Sequence, residues 1–179
     1  HPQMQATLNA RIKRREAFRP FAPIVLRERA ADYFAIPPGS ESPYMLIVAP
    51  VRAELRCAPP DDDPARGIAR FHDVRSTIPA VTHVDGSARL QTVDATRHGR
   101  LYELLREFDR QTGSAVLVNT SFNVRGEPIV CIPRDAFRCF ELTDMDVLAI
   151  GQCLVLKREQ PQAIAPEAKA ARWAEIPLD

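Results

Sequence analysis

NTSFNVRGEP, running from Asn119 to Pro128, directly follows the apolar run Ala115–Val118 and precedes another, Ile129-Val130-Cys131-Ile132. The apolar runs predict two strands. The stretch between them puts Asn, Thr, Ser, Asn and Arg where a core-facing strand ends. In extended geometry Asn119, Ser121 and Asn123 alternate and so point to one side. Strand ends are where open sheets place ligands, and Gly126 permits close backbone approach or a positive φ. A turn stabilised by Asx and Ser side chains uses the same residue types, so turn and binding site both stay open at this point. Ser121 lacks the GxSxG surroundings and the partnered His of a hydrolase nucleophile.

Outward from this stretch, the patterning predicts helices over Met4–Phe18, Glu28–Phe34, Arg100–Gln111 and Pro133–Leu142. Arg100–Gln111 is the clearest, with Leu101, Leu104, Leu105 and Phe108 on one stripe and Gly113 as its C-terminal cap. Strands are predicted at Ala22–Leu26, at Tyr44–Val51 and at Val147–Lys157, the last broken at Gly151-Gln152. Ala80–Val93 reads as two alternating strands around Asp85-Gly86, a hairpin signal. Seven or eight strands and four helices in mixed order imply an α/β (α+β) domain with one mixed twisted sheet. That domain is expected over residues 1–158, followed by a weakly structured tail at 159–179. PPDDDPARG, Pro59 to Gly67, reads as a polar insertion loop.

With 179 residues, 45% hydrophobic and 26% charged, the chain has the composition of a soluble globular protein with one sizeable core. No apolar stretch approaches the ~20 residues of a membrane span. The net charge of +1 gives no global field for nucleic acid or an anionic membrane. Cys57, Cys131, Cys139 and Cys153 lack CxxC spacing and fit buried free thiols in a reducing cytoplasm, the expected location. The chain begins with His1, which reads as a piece of a longer protein or a processed product.

Two further constellations carry charge. In IKRREAFRPFAP, Lys13, Arg15 and Arg19 gather where the first helix ends. Cations there suit the helix dipole, and they also suit phosphate, which Arg meets with a planar fork and Lys with a point charge. In the predicted hairpin, Ser87, Arg89 and Gln91 share a polar face, either solvated or turned to an anionic ligand. His83 and Asp85 share a strand face as well, but no third metal ligand is evident and an Asp-Gly turn accounts for Asp85.

LNARIKRREAFRPFAP, SPYM, IPAVTHVDGSARLQTV, TGSAVLVNTSFNVRGEPIV and DAFRCF, in that order over residues 4–157, resemble the C-terminal part of the O-carbamoyltransferase family, which includes nodulation-factor and antibiotic carbamoyltransferases. The resemblance implies a YrdC-like twisted mixed open sheet with flanking helices and a basic concave cavity. It implies formation of carbamoyl-adenylate from carbamoyl phosphate and ATP, with magnesium arriving on the ATP and no transition metal in this domain. An actin-fold transferase domain, without counterpart in these residues, would carry the carbamoyl group to an acceptor hydroxyl. The family's Lys-x-Arg element matches Lys13 and Arg15, and its Ser-x-Asn element matches Ser121 and Asn123. By position, Lys13, Arg19, Arg89, Asn119 and Ser121 correspond to residues binding carbamoyl phosphate or the nucleotide.

Such chemistry explains the opening stretch. Two polyanions must be brought together, so cations at Lys13, Arg15, Arg19 and Arg89 offset their repulsion. The neutral carbamoyl end, with NH₂ and C=O, needs both acceptors and donors, which Asn119, Ser121 and Asn123 supply. Two rival classes remain: an RNA-binding module of the same fold, against which the net charge and the lack of aromatic-basic interleaving count, and a catalytically silent partner domain.

Overall fold

The computed structural model describes residues 1–58, 67, 70, 73–161, 167 and 171. It divides into two compact units, one of His1–Gln5 with Pro20–Thr120 and one of Ala6–Arg19 with Ser121–Asp179. Most of the predicted Pro59–Gly67 loop, and the tail after 161 apart from residues 167 and 171, lie outside the described residues.

The first unit is built on a four-stranded sheet. β1 (Ala22–Leu26), β2 (Ile47–Pro50), β3 (Ser87–Val93) and β4 (Val116–Asn119) lie in the order β2-β3-β1-β4. β1 and β3 run parallel, while β2 pairs antiparallel with β3 and β4 antiparallel with β1. Two short helices, α2 (Ala30–Tyr33) and α3 (Ala95–His98), and the longer α4 (Arg100–Thr112) complete it.

Registers fix which side chains share a face. Ile24 lies opposite Gln91 and Leu117, and Ala22 opposite Asn119. One face therefore carries Ala22, Ile24, Leu26, Arg89, Gln91, Val93, Leu117 and Asn119. Its Leu26 end is dry: Ile24, Leu26 and Val93 cluster with Leu105 of α4 and with Ala115, flanked by Tyr33, Tyr102 and Leu117. Burying Leu105 alone stabilises the unit by ~2 kcal/mol. α4 ends at Gly113, whose φ of 73° lets its N–H reach the Asp109 carbonyl at 2.7 Å. On the opposite face Val25, Ala49, Ala88, Leu90 and Thr92 are buried, while Ile47 at its β2 edge is exposed.

The second unit contains the end of α1 (Met4–Leu8), a π-helical turn at Asn9–Lys13, α5 (Pro133–Leu142) and the hairpin β5 (Val147–Ile150) and β6 (Cys153–Leu156). Val124, Ala136, Cys139, Phe140, Leu142 and Leu148 form its buried apolar residues. Lys157 closes α5 from its C-terminal end: the ammonium donates to the carbonyls of Phe140 and Thr143 and sits 4.0 Å from the centroid of the Phe140 ring.

The mixed α+β class stands, and several elements within it differ from expectation. The strands form a four-stranded and a two-stranded sheet rather than one. The first helix stops at Lys13, not Phe18: Arg14 turns left-handed at φ 52°, and the wholly buried Asn9 amide draws the carbonyls of Ala17 and Arg19 to itself. The first half of the predicted 80–93 hairpin is not a strand. Pro79 starts a 3-10 turn, and the Thr82 hydroxyl bonds back to the Ile78 carbonyl, so the chain turns where a strand would extend. Asp85 serves that turn by accepting the Ser87 N–H at 2.9 Å, and His83 Nδ1 meets Ser87 Oγ at 3.0 Å. Residues 129–132 are not a strand either. The N–H groups of Cys131 and Ile132 both donate to the Asp135 carboxylate at the start of α5. Of the four cysteines only Cys139 is buried. Burial pushes its thiol up to about 11. No helix among the described residues is long and apolar enough to cross a membrane.

Candidate functional site

In the first unit the half of the sheet face beyond α4 stays open. Val48 pairs with Arg89, and Ala22 with Asn119. Continuing the parallel register two residues back from Ile24 and Gln91 sets Ala22 level with Arg89. Val48, Arg89, Ala22 and Asn119 thus form one row across four strands, and the two polar residues stand about 10 Å apart, two strand spacings. Val48 and Arg89 are exposed, Ala22 and Asn119 half-buried. No hydrogen bond or ion pair joins the Arg89 side chain to any described residue.

Beside Arg89 lies a chain of amides. Gln91 Nε2 donates to the Pro43 carbonyl at 2.8 Å, and Asn119 Nδ2 donates to Gln91 Oε1 at 2.5 Å. Ala22, on the intervening strand, carries only a methyl group, which leaves room for the two side chains to meet over β1. Met45 Sδ lies 3.9 Å from Asn119 Nδ2. Its backbone is left-handed at φ 54°, a conformation that disfavours any side chain by roughly 1–2 kcal/mol.

In the second unit Lys13 is 6% exposed and donates to four oxygens: Ser121 O at 2.8 Å, Ser121 Oγ at 3.1 Å, Asn123 O at 2.9 Å and Asn123 Oδ1 at 2.8 Å. An ammonium has three protons, so all are engaged within the protein. Ser121 Oγ donates to Asn123 Oδ1 at 2.7 Å, and Asn123 Nδ2 to the Glu127 carbonyl at 2.7 Å. Burial, with the charge of Arg15 second, lowers Lys13 from 10.5 to about 8. Gly126 has a φ of 76°, the positive value its place in this turn suggested.

Around Lys13 the charges are organised by two residues that sequence reasoning passed over. Asn9 Oδ1 accepts from Arg15 Nε at 2.7 Å. Glu16 faces Arg19 Nε at 2.9 Å and Arg125 Nη1 at 3.7 Å. The Arg19 contact is an ion pair without hydrogen-bond geometry, since the buried Glu16 Oε2 has no hydrogen-bond donor. The Glu16 carboxyl is held below its usual range, first by a backbone hydrogen bond and then, against its burial, by Arg19, Arg125 and Arg15. Arg15, Arg19 and Arg125 thus all act on the Glu16 carboxylate. No signal in the sequence marks Asn9. Arg125 stood in the opening stretch, and Gln91 was legible from its alternation with Arg89.

The predicted residues thus form two groups, each within its own unit: Arg89 with Asn119 in the first, and Lys13, Arg15, Arg19, Ser121 and Asn123 in the second. Among the described residues no three His, Cys, Asp or Glu side chains converge as a metal-binding group.

The profile of the family described as Carbamoyltransferase C-terminus matches residues 1–157. An uncharacterized protein of Synechocystis, sll1178, is 54% identical over 160 residues, which is 89% of this chain and 26% of the relative. Nodulation protein NolNO of Sinorhizobium fredii is 41% identical over 84% of this chain and 20% of its own length. An uncharacterized protein of Methanocaldococcus jannaschii, MJ1058, is 31% identical over 88% of this chain and 22% of its own length. The chain therefore spans only a fifth to a quarter of the curated relatives it matches.

Proposed function

The chain belongs to the carbamoyltransferase C-terminal family, and from that premise we propose that it forms carbamoyl-adenylate from carbamoyl phosphate and ATP. The observation that carries this reading is the open row on the sheet: an exposed Arg89 whose side chain meets no described residue, beside a half-buried amide pair. A lone cation would suit any anion. A cation next to neutral hydrogen-bonding groups suits a ligand that is anionic at one end and amide-like at the other, as carbamoyl phosphate is.

In the proposed reaction, water attacks phosphorus and releases phosphate and carbamate. A carbamate oxygen then forms a bond to the α-phosphorus of ATP as the bond to the bridging oxygen breaks and pyrophosphate leaves. Arg89 binds the carbamoyl phosphate anion. In the second unit Arg15, Arg19 and Arg125 are cations of the kind that suit phosphate. Lys13 holds the Ser121–Asn123 turn in shape and adds its charge, and the exposed Ser121 is available to the ligand. Magnesium enters on the ATP phosphates. The relatives' greater length fits a second part of the polypeptide, an actin-fold transferase domain, that takes the intermediate to an acceptor hydroxyl.

The test is to supply carbamoyl phosphate and Mg-ATP and measure pyrophosphate release and trapped carbamoyl-adenylate. Pyrophosphate release that depends on carbamoyl phosphate is expected. Binding of neither compound in calorimetry would leave a silent partner domain.

A further inference from the structure

Gln91 has a role that its place beside Arg89 does not exhaust. A peptide carbonyl can only accept, so the Gln91 atom 2.8 Å from Pro43 O must be the amide nitrogen. That leaves Gln91 Oε1 toward Asn119, and the Asn119 atom 2.5 Å from it must in turn be a nitrogen. Met45 Sδ, a weak acceptor, stands at the same nitrogen. Polarity is thus handed from a backbone carbonyl through two side chains, and Asn119 cannot flip without facing oxygen with oxygen. Asn119 Oδ1 is left as an acceptor with no donor among the described residues, and it is not sealed from solvent.

We propose that Gln91 is a positioning residue that locks Asn119 with Oδ1 toward the ligand, so that the row with Arg89 selects an acyl phosphate bearing an N–H donor over one bearing a methyl group. This rests on the reading of carbamoyl phosphate as substrate and adds how the site tells it from acetyl phosphate. A rotatable amide would offer its NH₂ or its oxygen as the ligand required and discriminate little. A fixed acceptor gains a hydrogen bond from carbamoyl NH₂ and faces an apolar methyl group in acetyl phosphate, leaving the acceptor unpaired.

The experiment is calorimetric titration of the 179-residue chain with carbamoyl phosphate, acetyl phosphate and inorganic phosphate. It is repeated on Gln91→Met and on Gln91→Asn, which keeps an amide too short to bridge both partners. Urea unfolding verifies the fold of each, and either folded variant carries the test. The wild type should prefer carbamoyl over acetyl phosphate by about tenfold or more. The variants should bring the two within about threefold of each other while holding inorganic phosphate as the wild type does. Wild-type binding of carbamoyl and acetyl phosphate within twofold, or an unchanged preference in the folded variants, overturns the role of Gln91 and leaves the substrate reading standing. Binding of none of the three ligands removes the substrate reading itself.

Discussion

Two cations of this molecule sit beside polar side chains in opposite states. Arg89, on the open half of the first unit's sheet, is exposed, and its side chain is joined to no described residue. Lys13, in the second unit, is buried beneath four oxygens of one turn. In sequence both look alike, basic residues in line with a polar motif. Their surroundings separate them: an unpaired exposed charge is available to a ligand, whereas a saturated buried one shapes the protein around it.

The sharpest way to break that contrast is to remove Lys13. Lys13→Met strands the oxygens of Ser121 and Asn123 that now accept from it. The expected loss is ~3 kcal/mol of stability, a fall in Tm of roughly 6–12 °C for a chain this size. A Tm within 2 °C of wild type would show that Lys13 holds nothing together.

Arg89→Ala should do the reverse. Stability should change by less than ~0.5 kcal/mol, because an exposed side chain without partners is lost. Affinity for carbamoyl phosphate should fall about tenfold to a hundredfold, the worth of one charge-assisted contact. Unchanged affinity in calorimetry would take Arg89 out of the site, and a large drop in Tm would give it a structural role.

A pH comparison sharpens the picture of Lys13. Burial lowers it from 10.5 to about 8 despite its four acceptors. Between those values the unfolded chain keeps the proton and the folded chain gives it up, so this group adds stability as pH rises through that window. Below about pH 8 the folded state bears the whole cost of the buried charge. Cys139, raised from 9.0 to about 11 by burial, acts in the opposite sense, and the Lys13 charge lowers it, so Lys13→Met moves it further up. In urea unfolding the wild type should therefore gain on the order of 2 kcal/mol over Lys13→Met between pH 7 and pH 9.5. A constant difference would mean that Lys13 titrates as an ordinary lysine.

Strong local signals in the sequence were realised. Pro133 and Asp135 open α5, Gly113 caps α4, and Gly151 turns β5 into β6. Of the stripe expected on α4, however, only Leu105 is buried, Phe108 is half-buried, and Leu101 and Leu104 are exposed. The misses share a cause. Ile129-Val130-Cys131-Ile132 has strand-forming side chains, yet Asp135 takes the backbone donors of Cys131 and Ile132 to start a helix. Helical continuation past Lys13 is lost to Asn9, whose buried amide binds the Ala17 and Arg19 carbonyls. In both places a side chain distant in the pattern competes for backbone groups, and periodicity carries no record of that competition.

What the sequence by itself determined is the inventory: an α+β chain, its helix and hairpin punctuation, the motif residues and their family. Side-chain periodicity and turn chemistry are local, so they can be read from a window of residues. Tertiary structure alone decided what each polar residue faces. Register across three strands set Arg89 and Asn119 on one face, flanking Ala22, and the Pro43 carbonyl fixed the direction of two amides. Packing buried Lys13 and left Arg89 in solvent. The burial of a charge and the partner of an amide depend on residues far along the chain, which only the folded molecule brings within 3 Å.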